Sequence, residues 1–152
     1  MVLKVLGSSS KGNGYILDSG KEALILECGI SLKEAKKALG FDIRKVAGCC
    51  VTHQHNDHAR YVKKYAEIFY TLALPDVWNA KHYHGNRAVS VEPGKEYGLR
   101  GFTVMPFSVI HDVPCVGWLI QHPDMGLMMF ATDTCMIDYT IPGMSHVLIE
   151  CN

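Results

Sequence analysis

VTHQHNDHAR, residues 51–60, follows directly on VAGCC, residues 46–50. The reading of this stretch decides the fold. VAGCCVT has the continuous apolar character of a strand buried on both faces, as strands in parallel sheets are. HARYVKKYAEIFY, residues 58–70, reads as an amphipathic helix with Tyr61, Val62, Tyr65, Ala66 and Phe69 on one side. Between them His53, His55, Asp57 and His58 fall within six positions. A strand-to-helix loop of this kind stands at the rim of a rigid sheet, where α/β architectures build their sites. Neutral imidazoles and carboxylates are ligands for zinc and similar divalent ions. An HxH pair alone is weak evidence, since surface histidines are common. Four such groups behind a buried strand point to metal or catalytic chemistry.

Outward from this stretch the pattern alternates between strands and helices. VLKVL, GYILD and ALILE are β-prone runs separated by Gly and Ser turns, an opening antiparallel meander. SLKEAKKALG, residues 31–40, is a helix: Ser31 and Glu34 have capping-box spacing, Leu32, Ala35 and Leu39 share a face, and Gly40 ends it. Downstream, TLALP is a short strand, AVSVEPGKEYGL a turn-rich segment, and FTVMPFSVIH a strand weakened by Pro106. CVGWLI and GLMMFAT pair around the turn HPDMG, and HVLIE is the last strand.

The 152 residues, 48% of them hydrophobic, suffice for one globular core, so a single domain over residues 1–152 is expected. Fifteen basic and fifteen acidic side chains cancel, which excludes a global positive field but not a local basic patch. No apolar run approaches the roughly 20 residues of a membrane span, and the start lacks a signal-peptide core. A cytoplasmic protein is expected. Cys28, Cys49, Cys50, Cys115, Cys135 and Cys151 show no CxxC spacing, and most lie in apolar runs, so they read as reduced structural thiols.

THQHNDH matches the HxHxDH signature, and in this the sequence resembles the metallo-β-lactamase superfamily. LGSSSKGN, LILECG, VIHDVPCVGW and MFATDT, in that order, resemble its bacterial YycJ-like branch, which is associated with DNA exonuclease activity. The resemblance implies an α/β fold, an αββα sandwich with a one- or two-metal site along one edge. It implies that His53, His55 and His111 hold a first metal, that Asp57 and His58 hold a second, and that Asp133 bridges the two. Local reading agrees for Asp133, because an aspartate ending a buried strand is costly unless paired or metal-bound. His111 judged alone would read as a hydrogen-bonded structural residue, with Asp112 either its partner or exposed.

Glu27 stands where the family has an aspartate behind the metal loop, so it is either a partner that orients a ligand or a glutamate ending a strand. Ser8, Ser9, Ser10 and Asn13 either offer donors to a phosphate or make the first hairpin turn; of these, Ser9, Ser10 and Asn13 are the candidate substrate-binding residues. His82 and His84 read as a surface loop, His122 as a turn residue, and His146 has no evident partner.

The implied chemistry is hydrolysis by metal-activated water, with Asp57 and Asp133 orienting the water and handling its proton. No GxSxG elbow or Walker-type loop competes with it. Zinc suits the histidines, two sites can be envisaged, and manganese or iron are alternatives. The leading expectation is a phosphodiesterase acting on DNA. A hydrolase of a thioester, lactone or lactam is the alternative, and a non-catalytic scaffold that self-associates is a third. One departure from the family stands out: its second metal takes a further histidine from a segment beyond the equivalent of HVLIECN. The fold is therefore expected to be incomplete in its second half, with open sheet edges that could pair with another copy.

Overall fold

The computed structural model describes residues 1–137 and 140–150; Cys151 lies outside the described residues. In chain order the elements are β1 (Val2–Gly7), β2 (Gly14–Asp18), β3 (Ala23–Leu26), α1 (Leu32–Ala38), a 3₁₀ turn (Ile43–Lys45), β4 (Val46–Cys50), α2 (Asn56–Ala59) and α3 (Val62–Ala66). There follow β5 (Thr71–Ala73), α4 (Pro75–Lys81), β6 (Ala88–Ser90), β7 (Tyr97–Leu99), β8 (Phe102–Val109), β9 (Cys115–His122), β10 (Gly126–Ala131) and β11 (Met144–Ile149).

The strands form two sheets, ordered β1-β2-β3-β4-β5-β6 and β11-β10-β9-β8-β7. The first opens as the expected antiparallel meander, β1 to β3, joined by tight turns. From β3 onward the pairing is parallel, and each step needs a crossover. The four helices supply those crossovers. All five residues of β4 are buried, which explains its unbroken apolar sequence. In the second sheet β7 to β10 are antiparallel, and β11 joins parallel to β10.

Residues of both sheets share one core, with Ile16, Leu24, Leu72, Phe102, Trp118 and Phe130 almost fully buried. The rings of Tyr15 on β2 and Phe130 on β10 meet edge to face, their centroids 5.5 Å apart. Period-two alternation sends Met128 and Phe130 into this core, whereas Met129 and Ala131 join Phe107 in a smaller cluster on the other face of the sheet. The edge strands β1 and β11 leave Val2, Leu3, Val5, Val147 and Ile149 exposed.

Three expectations are refined. Residues 58–70 are two short helices, because the Tyr61 N–H donates to Cys28 O at 2.9 Å instead of continuing the helical ladder. α3 and the residues just after it still bury the expected side, with Val62, Tyr65, Ala66 and Phe69 inside, while α2 buries His58 and Ala59. The turn-rich segment 88–99 contains β6 and β7, which belong to different sheets, so its turn carries the chain from one layer to the other. Pro106 keeps its place inside β8 because β7 pairs only with Phe102–Val104, and the missing N–H leaves no ladder bond unmade on that side. Gly94 N–H closes the gap by donating to Pro106 O at 2.8 Å.

Edge strand β1 is tied down electrostatically. Asp18, 6% exposed, accepts from Lys4 Nζ at 2.8 Å and from Lys45 Nζ at 2.7 Å. Burial alone would raise the Asp18 pKa, but the two ammonium groups outweigh it and hold the carboxyl at about 2. A folded-state pKa below the unfolded one means stabilisation that is complete above about pH 4 and is lost as pH falls toward 2. Asp18→Asn is therefore expected to cost about 2 to 3 kcal/mol at pH 7 in urea unfolding. The gap to the parent protein should close as the pH is lowered toward 2.

Candidate metal centre

β4 runs into the loop that carries the candidate ligands. Cys50 ends the strand, and Thr52 and His53 follow with their side chains fully buried. The Thr52 hydroxyl lies 2.9 Å from His53 Nδ1 and 3.4 Å from the Thr132 hydroxyl. In the tautomer with hydrogen on Nδ1, His53 donates to Thr52 and keeps its Nε2 lone pair free. That Nε2 is buried and has no hydrogen-bond partner. Burial, and then the neighbouring His58, His111 and His55, hold the His53 pKa down at about 2, so the ring is neutral. A neutral, orphaned imidazole nitrogen is what a metal ligand requires.

His53 sits at the middle of a ring cluster. Its centroid lies 4.7 Å from His55, 4.3 Å from His58 and 4.7 Å from His111. His111 arrives from the loop after β8, and its Nε2 is 3.3 Å from His55 Nδ1. Ligand atoms of His53, His55 and His111 all lie within 4.8 Å of one another, and the same holds for His53, His58 and Asp133. Three of the groups in a first set and three in a second thus converge from both sheets, sharing His53.

Asp133 follows β10, and its Oδ2 is 2.8 Å from His58 Nε2 and 3.5 Å from His53 Nε2. Asp57 Oδ2 is 3.4 Å from His58 Nε2, on the more exposed side. Glu27, 0% exposed, comes just after β3 and places Oε1 3.6 Å from His58 Nδ1. Its other oxygen accepts from the Thr52 N–H at 3.4 Å. Burial pushes the His58 pKa down, but Glu27, then Asp133 and Asp57, outweigh it and raise the imidazolium to about 9. A cation is what this pocket of carboxylates stabilises, and a metal binding there would displace that proton. Glu27 and Asp133 both adopt left-handed backbone, φ 68° and 49°, a conformation uncommon outside glycine and one that gathers at functional sites.

The remaining sequence candidates divide. Asn13 is buried, with its amide nitrogen 2.9 Å from His58 Nε2 and 3.5 Å from Asp57 Oδ2. Ser9 and Ser10 are exposed in the first turn, where Ser9 N–H donates to Asn13 Oδ1 at 2.9 Å. Asp112 is mostly exposed, yet its Oδ1 is 3.0 Å from His111 Nε2. His82 and His84 are exposed after α4, as expected of a surface loop. His122 is buried at a turn, where its Nε2 meets Glu22 Oε1 at 3.0 Å and its Nδ1 accepts from Asp124 N–H. Cys28 and Cys49 are buried with free thiols 3.3 Å apart.

Sequence reading passed over Thr52 and Glu150. Thr52 precedes the motif and fixes the His53 ring. Because β11 lies parallel to β10, Glu150 follows the strand end beside Thr132 and Asp133, and its Oε2 is buried without a hydrogen-bond partner among the described residues. Burial, and then Asp133, raise its pKa. The signal was the one used for Asp133, an acid closing an apolar strand.

The family model described as "Metallo-beta-lactamase superfamily" matches residues 10–113. The chain belongs to this superfamily. Within it, the chain is 29% identical to exodeoxyribonuclease YycJ of Bacillus anthracis, with 91% of this chain and 56% of that protein aligned. It is 27% identical to exodeoxyribonuclease WalJ of Streptococcus pneumoniae, over 97% of this chain and 61% of that one. The chain thus spans a little over half the length of these relatives. Among solved structures, the metallo-β-lactamase fold protein YhfI of Bacillus subtilis superposes with a TM-score of 0.65 at 16% identity, covering 87% of this chain and 61% of YhfI. A Cronobacter sakazakii metallo-β-lactamase with the HARLDQ motif, in its S60 mutant form, gives 0.71 at 12%, over 90% and 62%. These likenesses establish the metallo-β-lactamase fold, as the sequence resemblance implied.

Proposed function

We propose that this chain is a metal-dependent phosphodiesterase acting on DNA. The observation that carries the reading is the convergence of His53, His55 and His111, and of His53, His58 and Asp133, around a buried imidazole nitrogen with no other partner. The two relatives named as exodeoxyribonucleases support DNA over a small ester. His53, His55 and His111 would hold one ion, and Asp57, His58 and Asp133 a second, with zinc the first choice and manganese or iron alternatives. Bound divalent ions supply Lewis acidity toward a phosphoryl oxygen and bring the ionisation of water toward neutral pH.

The chain's own groups do the rest. Glu27, held on His58 Nδ1, fixes that ring's orientation. Thr52 does the same for His53. Asp57 and Asp133, 28% and 16% exposed, keep access to solvent beside His58, so their Oδ2 atoms can orient a water and take its proton. The free thiols fit a reducing, cytoplasmic setting. Among the described residues no helix is long and apolar enough to cross a membrane.

The test supplies zinc or manganese and compares cleavage of a single-stranded oligodeoxynucleotide with that of a thioester, a lactone and a lactam. Release of nucleotides from DNA, abolished by EDTA and restored by metal, is expected. Turnover of a small ester or lactam with none of DNA would replace the substrate, and turnover that survives metal removal would overturn the reading.

A further inference from the structure

Beside the candidate centre lies a group of cations that make no ion pair among the described residues. Arg60 follows α2 and Lys63 lies on α3, both exposed. Lys81 ends α4, and its Nζ donates to Asn56 Oδ1 at 2.9 Å. Asn56 stands between His55 and Asp57 in the chain, so this ammonium is held one residue from two groups of the centre. Lys64 pairs with Glu67 at 3.1 Å, whereas Arg60, Lys63 and Lys81 make no ion pair among the described residues. The acid on α4, Asp76, is five residues before Lys81, about 140° round the helix. Lys63 is near enough that, after burial, its charge lowers the Lys81 pKa. Two like charges are thus brought together on a protein whose formal net charge is zero. None of the exposed large apolar side chains lies on α2, α3 or α4, so this face is built for charge and not for apolar contact.

We propose that Arg60, Lys63 and Lys81 form the surface on which the phosphate backbone of a DNA strand lies as it reaches the metal centre, an inference that rests on the substrate class proposed above. Free ammonium and guanidinium groups bind phosphates by releasing the counterions condensed on the strand, and such contacts position a chain without reading its sequence. The bond from Lys81 to Asn56 keeps one of the three charges at a set distance from the ligand loop. This orients the strand toward Asp57 on the open side of the centre.

Salt dependence tests the proposal. The metal-supplemented protein is titrated with a fluorescent, cleavage-resistant phosphorothioate oligothymidylate at several salt concentrations. In the Lys63→Gln/Lys81→Gln variant the slope of log affinity against log salt should be shallower by about 1.4, and binding at 0.05 M salt weaker by about tenfold or more. Lys63→Gln alone, which leaves the Lys81 to Asn56 bond intact, should lose about half of that slope. Lys33→Gln/Lys36→Gln, the same charge change on α1 beside β1, should keep the parent slope. Thermal melting confirms that each variant is folded. A double variant with the parent slope, or a control that loses as much as the double variant, overturns the proposal. Binding is read without cleavage, so a protein that binds through these residues and cuts no DNA would sink the phosphodiesterase reading alone.

Discussion

His53→Ala is expected to remove the first metal ion, lowering its affinity by at least about a hundredfold and hydrolysis to background. His53 is a member of the set proposed for the first ion, and its one free ring nitrogen, with a single lone pair, can serve one ion only. It is fully buried, its Nδ1 is engaged by Thr52, and its Nε2 faces the rings and carboxylate of its partners. No neighbouring side chain can substitute, since a replacement nitrogen would have to come from the same buried spot. Metal analysis of the purified variants checks this: His53→Ala and His55→Ala should lose mainly the first ion, and Asp57→Ala mainly the second. A His53→Ala protein with the parent metal content would show that the rings cluster for another reason.

Gly29→Ala is the second large effect expected, and it comes from a residue with no functional group. A Cβ there would overlap the Asp57 carbonyl and come within 2.6 Å of the Asn13 nitrogen. These are backbone atoms, so no rotamer change relieves the clash. Three segments are stitched together at this point: Asn13 N–H donates to Asp57 O at 2.7 Å, Gly29 N–H to Asn13 O at 3.0 Å, and Cys28 N–H to His58 O at 2.7 Å. Adding a methyl group must part the ligand loop from the first hairpin, at an expected cost of about 3 kcal/mol or more. Gly98→Ala is the control. Nothing lies within 4 Å of its Cβ, so its cost should stay within about 0.5 kcal/mol. Urea unfolding and metal content together check the pair, and a Gly29→Ala protein as stable as the control would refute the packing argument.

How much of this was legible beforehand depends on distance along the chain. β4 and its loop could be read because the apolar run and the ligand groups are consecutive, so local rules apply to both. His111 and Asp133 come from the second sheet, and only the resemblance to a known family joined them to His53. Glu27 read equally as a partner that orients a ligand and as a strand end; its contact with His58 exists because β3 lies parallel to β4 and both strands stop at the same level. The break at Tyr61 left no trace in the helical periodicity, since its cause is a bond to Cys28, more than thirty residues away. Asn13 was offered as a phosphate donor or a turn residue. The structure places it against His58 and Asp57, a contact made by chain crossing and not by spacing.

The candidate ligand groups come from two different sheets, His53, His55, Asp57 and His58 from the first and His111 and Asp133 from the second. An unfolded chain, or one whose layers have parted, cannot present them together. An ion bound between the layers would then act as a clasp on the tertiary structure, adding about 4 kcal/mol to its stability at a thousand times its dissociation constant. Ion supply would in that case govern how long the molecule survives as well as whether it can work.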